Sequence, residues 1–494
     1  MAFLSHKDRF LGEYPYCASG GLRCQEWRLH HEGHEGSGSA NLFSTLYNAA
    51  MPDQQYSFQP IRESFGGESH IRAGIEGKSQ HGHLRRFPRR ALLRSLLGIG
   101  AISGLAGATA ATDGLSELAL ANPNQPFTNA WRSRPVVPRQ GMALGASFRP
   151  DVARALGLDP YDVLVRLLQE PVQLIRLGAR WSDLQTPDGQ FNPTSLDWQV
   201  ATVARAGIPF ILCVGAVKSF GYPEFFIPPT LIPQRLLNAE RQEPRTGLAS
   251  YLQNQPMLTA AAYPAILDGA LRQIERLVAH YGNLTNLIAW QLENEAGDPV
   301  FFTPIKRLGN DFVERELAYL RALDAHRPIL MTGTVATTFI SWALVHWLTA
   351  DQGTALAFAI PHADWIGANL FTRLAIAANV WDHEDLYLDG TRAFWSNWFL
   401  VRLASAVQAH GRKLLITEGQ AEPWEINGAG PLPGHAAYSC PPEAIIDTYN
   451  RAAQLQPQYP IHAYLFWGWE HWLAYERAGM PQYLQAFHRI AAMA

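Results

Sequence analysis

Eight short apolar runs, separated by segments whose apolar residues recur at helical spacing, predict a (β/α)8 barrel over residues 122–494. The runs are GMALGASF (141–148), VQLIRLGA (172–179), IPFILCVG (208–215), NLIAWQLEN (286–294), PILMTG (328–333), DWIGANLF (364–371), KLLITEG (413–419) and HAYLFWG (462–468). Strands covered on both faces read as continuous apolar runs, the mark of a parallel sheet between helices. LDWQVATVARAG and YPAILDGALRQIERLVAHYG carry the helical spacing and stop at glycine. A doubly wound open sheet is the competing arrangement, but the first run continues as GASFRPD and lacks a G-x-G-x-x-G phosphate loop. Two insertions, 216–261 and 372–412, interrupt the pattern and are expected to hold short helices at most.

A chain of 494 residues exceeds one ordinary core, and 47% hydrophobic against 17% charged residues can fill a large one. The net charge of −3, with no basic stripe after residue 122, gives no electrostatic case for a nucleic-acid partner. Fourteen of the fifteen tryptophans follow residue 122, where they serve either core packing or carbohydrate stacking. Cys17, Cys24, Cys213 and Cys440 are scattered, with neither C-x-x-C spacing nor a disulfide framework.

Residues 1–84 include HHEGHEGSGSANLF and IRAGIEGKSQHGHL, rich in Gly, Ser and His, and read as a disordered extension. Residues 85–121 read as an export signal. Arg89-Arg90-Ala91-Leu92-Leu93-Arg94 resembles a twin-arginine motif, and the uncharged run Ser95–Ala111 is too rich in Gly and Ala for a strong membrane span. Small-residue cleavage candidates lie at Ala108-Thr109-Ala110 and Ala119-Leu120-Ala121. The expectation is a periplasmic or extracellular protein with no stable membrane span once the signal is removed.

In a (β/α)8 barrel the chemistry gathers at the C-terminal strand ends. Those ends supply Arg176 and Trp181 (second run), Lys218 (third), Asn294 and Glu295 (fourth), Asn369 and Phe371 (sixth), Glu418 (seventh), then Trp467 and Glu470 (eighth), with Trp424 in a nearby loop. Glu295 and Glu418 thus reach one mouth. Two carboxylates can cleave a glycosidic bond, one protonating the leaving oxygen while the other attacks or stabilises the oxocarbenium-like centre. A neighbouring arginine keeps the attacking group ionised, and burial raises the acid. Asn294 can donate to a sugar hydroxyl. Glu293 competes with Glu295 for the acid role; Glu422, four residues past Glu418, reads as a solvated loop acid. Trp198, Trp290 and Trp365 read as core, Trp469 as a further stacking candidate, and His462 as structural.

WQLENE followed later by ITEG resembles the clan A glycoside hydrolases over roughly residues 140–475. The resemblance extends to the family five cellulase and mannanase group, and WQLENEAGD is also similar to the strand-four pattern of β-galactosidase families. It implies a retaining enzyme on β-glucan, β-mannan or β-galactoside substrates, acting without cofactor or metal on an oligo- or polysaccharide partner. It also implies Glu295 as acid/base, Glu418 as nucleophile, Arg176 as electrostatic partner and Trp467 as subsite floor. Arg176, Trp181, Lys218, Asn294, Asn369, Phe371, Trp424, Trp467 and Glu470 form the expected substrate-binding set. Phe371 stands where that family group carries a tyrosine, which leaves a non-catalytic carbohydrate-binding barrel as the alternative. A metal-dependent hydrolase would need His-x-His at the first strand, where Phe148 and Arg149 stand.

Overall fold

Each of the eight apolar runs forms a strand: β1 (Ala143–Ser147), β2 (Leu174–Gly178), β3 (Phe210–Cys213), β4 (Leu287–Gln291), β5 (Ile329–Val335), β6 (Trp365–Leu370), β7 (Lys413–Gln420) and β8 (Ile461–Trp467). They close into a parallel barrel in chain order, with β5 paired to β6 and β8 paired to β1. The computed structural model describes residues 117–221, 224–233, 257–299, 307–391, 394–425 and 433–493. The 1–84 extension, nearly all of the signal-like segment and most of the 216–261 insertion lie outside these residues.

Local chemistry explains the helices around the barrel. α1 (Pro160–Leu168) begins at Asp159, whose carboxylate accepts from the Tyr161 and Asp162 N–H groups, with proline at the first helical position. α2 (Thr194–Arg205) buries Leu196, Val200 and Val203, and α3 (Pro264–Tyr281) buries Ile266, Leu267, Ala270, Ile274 and Leu277, both at three- and four-residue spacing. α4 (Asn310–Leu323), α5 (Ala355–His362), α6 (Phe394–Ala409), α7 (Pro442–Ala453) and α8 (Gln482–Ala491) complete the outer ring.

Inside the ring, side chains alternate inward and outward along each strand, so one set of positions fills the barrel. The lower inner layer is apolar: Leu174, Ile211, Ala289, Leu330, Leu415, Ala463 and Leu465 pack as one cluster. Two residues further along the same strands the layer turns polar, giving Arg176, Gln291, Thr332 and Thr417, joined by Ser147 and Asn369. The site therefore rests on an apolar floor. Strict alternation would send Glu418 outward, since Thr417 already faces in. A register irregularity at this point, with Ala368 opposite Ile416 but Asn369 opposite Glu418, aims Glu418 inward as well. Gly419 is required beside it, because a Cβ there would sit 2.2 Å from the Tyr464 hydroxyl.

The structure corrects two expectations. The 372–412 insertion holds an antiparallel hairpin, Arg373–Trp381 with Glu384–Asp389, followed by the 16-residue α6, rather than short helices alone. The folded part also begins before residue 122. Leu118–Ala121 pairs antiparallel with Glu384–Asp389, and the buried Glu117 carboxylate accepts from Phe339 N (2.8 Å) and Ile340 N (3.3 Å), at the start of the helix Phe339–Leu348. Glu117→Ala removes both acceptors from that helix start and is expected to cost about 1 kcal/mol, read as a lower thermal midpoint. An unchanged midpoint would mean that the contact adds nothing to stability.

Candidate active site

Glu293-Asn294-Glu295 follows β4 in an unusual backbone: Glu293 and Glu295 both have positive φ, +50° and +49°. Non-glycine residues there cost about 1–3 kcal/mol each and persist only where surrounding contacts fix them. The turn splays the two carboxylates apart. Glu293 is wholly buried and turns under the loop after β3, where it accepts from Val217 N (3.0 Å) and from Lys218 N. Gly215 makes room, since a Cβ would lie 2.0 Å from Glu293 N. Burial raises Glu293 to about 7; it also raises the neighbouring buried Glu316 of α4, a shift to which the Glu293 charge adds. Glu293 therefore holds a loop, while the Glu295 carboxylate turns to β5 and β6.

Glu295 Oε1 accepts from Thr334 Oγ1 at 2.6 Å and from Asn369 Nδ2 at 2.7 Å. Asn369 Oδ1 in turn accepts from Thr417 Oγ1 at 2.7 Å, so one amide and one hydroxyl link the acid to the residue before Glu418. Arg176 lies wholly buried at the centre. Its Nε donates to Gln291 Oε1 (2.6 Å), Nη1 to Glu418 Oε1 (2.8 Å) and Nη2 to Asn294 Oδ1 (2.7 Å). Asn294 Oδ1 also accepts from Thr332 Oγ1 at 2.9 Å. With its oxygen engaged, Asn294 has the amide Nδ2 left to donate into the mouth.

Burial lifts the Glu418 carboxyl to about 7. Arg176 opposes the shift and the negative charge of Glu295 adds to it. Asp298, three residues past Glu295, accepts from Ala355 N at the start of α5 (2.9 Å) and from Thr334 N (3.0 Å), and burial raises it to about 6. A further carboxyl, Glu224, stands in the loop after β3 with Oε2 3.9 Å from Lys218 Nζ, raised by burial to about 8.

Phe220, Phe371 and Trp467 form an apolar cluster with Trp424 packed against it; Phe371 and Trp424 ring centroids lie 4.7 Å apart. The Trp467 indole N–H is buried without a partner among the described residues, which leaves it free to bond a ligand. Behind Trp467, 4.1 Å from its ring, lies the Arg149 guanidinium. Arg149 donates to both oxygens of Glu422 and to Glu470 Oε2 at 2.8 Å. Burial alone would raise Glu422, but Arg149 and then His471 outweigh it and hold the carboxyl at about 2.

Several expected substrate contacts are therefore corrected. Glu422 is buried in an ion pair, not solvated. Glu470 is wholly buried on Arg149, accepting also from its backbone N at 2.6 Å. Lys218 Nζ donates to the Glu295 and Asp298 carbonyls at 2.6 and 3.2 Å, so it braces the turn after β4. Trp181 packs over Gly269 of α3 and Trp469 donates to Val163 O, both as core. Asn369 holds Glu295. Gln291, Thr332, Thr334, Asp298 and Arg149 escaped the reading of strand ends. For Gln291 and Thr332 the signal was present as polar residues at inward-facing positions of otherwise apolar strands.

No family model and no curated protein matches the sequence. Solved structures similar to the chain include a variant of GH5_18 from Bifidobacterium longum in complex with Manβ1-4GlcNAc (14% identity, 71% of this chain and 78% of that chain, TM-score 0.46). Others are the exo-β-1,4-mannosidase Op5Man5 from an Opitutaceae bacterium (14%, 67% and 52%, TM-score 0.39) and a GH10 endo-β-1,4-xylanase from Gloeophyllum trabeum (14%, 57% and 73%, TM-score 0.35). The barrel itself is established by its own closed strand order.

In a chain carrying 13C-labelled glutamate, Glu418 and Glu293 are both expected to titrate near pH 7; the Glu418 signal is the one that vanishes in Glu418→Gln, and it should move higher in Arg176→Met, which removes the opposing charge. A Glu418 signal titrating near 4.5 in both backgrounds would contradict the balance described here.

Proposed function

We propose that this chain is a retaining glycoside hydrolase acting on β-linked glycosides of the β-glucan, β-mannan or β-galactoside type. The observation that supports the reading is the hydrogen-bond chain from Glu295 through Asn369 to Thr417, the residue before Glu418, with Arg176 bonded to Glu418 itself. Glu418 attacks the anomeric carbon while Glu295 gives its proton to the leaving oxygen, forming a glycosyl ester on Glu418 and releasing the first product. The Glu295 carboxylate then takes a proton from water. That water attacks the same carbon, and Glu418 leaves as a carboxylate. Asn294 Nδ2 donates to the hydroxyl beside the reacting carbon, and Trp467 supplies the wall against which the sugar ring lies.

Two displacements return the starting configuration. On an aryl β-glycoside panel, NMR of the first-formed sugar should show the β-anomer, and an initial α-anomer would sink the mechanism. Glu418→Gln should abolish turnover with the fold intact. Glu295→Ala should lower kcat about 10²–10⁴-fold on poor leaving groups, spare activated ones and be partly rescued by azide. If Glu293→Ala behaves that way instead, the acid assignment is wrong. Because Glu418 must be ionised to attack and burial raises it to about 7, kcat/KM should fall as pH drops through that region. A profile flat from pH 5 to 8 would contradict this.

Export belongs to the same proposal, supported by the twin-arginine-like segment. A mature chain starting near Ala111 keeps Glu117 and the strand Leu118–Ala121, whereas one starting at Asn122 loses both.

A further inference from the structure

The loop after β3 doubles back as a narrow hairpin. Phe226 N donates to Val217 O (2.9 Å), Ser219 N donates to Glu224 O (3.0 Å), and Lys218 pairs antiparallel with Phe225. One arm carries Phe220, which lies 4.0 Å from the Arg176 guanidinium and against Trp467, with ring centroids 6.0 Å apart. The other begins at Glu224, whose φ of +72° is a left-handed backbone that a non-glycine residue keeps only where its surroundings fix it. The two-glutamate mechanism makes no use of this residue.

The Glu224 side chain is 18% exposed, yet its Oε2 is buried and accepts no hydrogen bond from the described residues. Buried carboxylate oxygens ordinarily have a donor, so an orphan beside a cleft points to a donor that arrives with a ligand. Lys218 Nζ stands 3.9 Å away, beyond hydrogen-bond length, and gives its protons to the Glu295 and Asp298 carbonyls at 2.6 and 3.2 Å. The same Nζ sets Glu224 beside the turn that carries Glu295. On the wall against which Phe220 packs, the Trp467 indole N–H is likewise buried and without a partner among the described residues. A ligand here meets one free acceptor and one free donor.

We propose that Glu224 binds the ammonium group of an amino sugar, so that the substrate is a β-linked glycoside containing a glucosamine-type unit. This rests on the reading of the mouth as a glycoside-cleaving site. Local charge decides between an ammonium and a hydroxyl. Burial lifts the Glu224 carboxyl to about 8; Lys218 opposes the shift, and Glu295, Glu418 and Asp298 add to it. Among the described cations, Arg176 is bonded to Glu418 and Lys218 is spent on two carbonyls. A sugar hydroxyl leaves that excess of acidic groups as it is. An ammonium brings three N–H donors and the positive charge that keeps Glu224 ionised.

The test is isothermal titration calorimetry on the full chain carrying Glu418→Gln, which is expected to bind without turnover. A β-1,4-linked glucosamine tetramer is compared with cellotetraose, its neutral counterpart, before and after Glu224→Gln is added. The expected result is binding of the amino tetramer at least tenfold tighter than cellotetraose, with that ratio reduced at least tenfold by Glu224→Gln. Equal binding of the two tetramers, no binding of either, or a preference that survives Glu224→Gln would overturn the inference. An equal loss for both ligands would overturn it as well, and would give Glu224 a sugar hydroxyl instead. Turnover separates this inference from the reading beneath it. Glu224-dependent preference in a chain that, with Glu418 intact, hydrolyses neither tetramer would sink the hydrolase reading and leave this one standing. Hydrolysis of cellotetraose without any amine preference would do the reverse.

Discussion

The Arg176 guanidinium is the interaction on which the rest of the mouth depends. A buried charge must find partners for its donors, and this one bonds Gln291 and Asn294 at the end of β4 and Glu418 on β7. Its face lies 4.0 Å from the Phe220 ring, which closes off water from that side. Removing one member of such a buried pair costs about 3–5 kcal/mol because the other charge is stranded. By fixing Asn294 Oδ1, the same guanidinium sets the turn that sends Glu293 down and Glu295 up. Orientation of Glu295 and the charge state of Glu418 thus share one cause.

Cations are scarce here relative to carboxyls, and the distribution of charge follows from that. Arg149 is committed to Glu422 and Glu470, and Lys218 to two backbone carbonyls, so among the described cations Arg176 is the one bonded to Glu418. Where a carboxyl is paired bidentately, as Glu422 is, it stays well below the usual range. Where burial is met by one shared guanidinium, as at Glu418, the carboxyl rises toward neutrality. One environment makes a structural anion and the other a group that can change state near pH 7.

The barrel was legible in the sequence because its strands are buried on both faces and its helices are amphipathic, two patterns that survive without tertiary knowledge. That Glu295 follows the fourth strand and Glu418 lies on the seventh was likewise legible from strand order. Positions decided by tertiary packing were not legible: nothing local separates Trp467, which lines the mouth, from Trp181, which packs over Gly269. Glu422 read as a loop acid because its partner, Arg149, lies 273 residues away. Leu118–Ala121 read as part of a signal because the hairpin it pairs with follows more than 250 residues later.

The central claim is that Glu418 is the nucleophile that Arg176 keeps available for attack. The direct measurement is mass spectrometry of peptides after incubation with 2-deoxy-2-fluoro β-glucosyl, β-mannosyl and β-galactosyl fluorides, which form the glycosyl ester and release it slowly. The account predicts a single fluorosugar adduct on the peptide holding Glu418, and none in Glu418→Gln. An adduct on Glu295 or Glu293, or turnover of these fluorides with no adduct on Glu418, would contradict it.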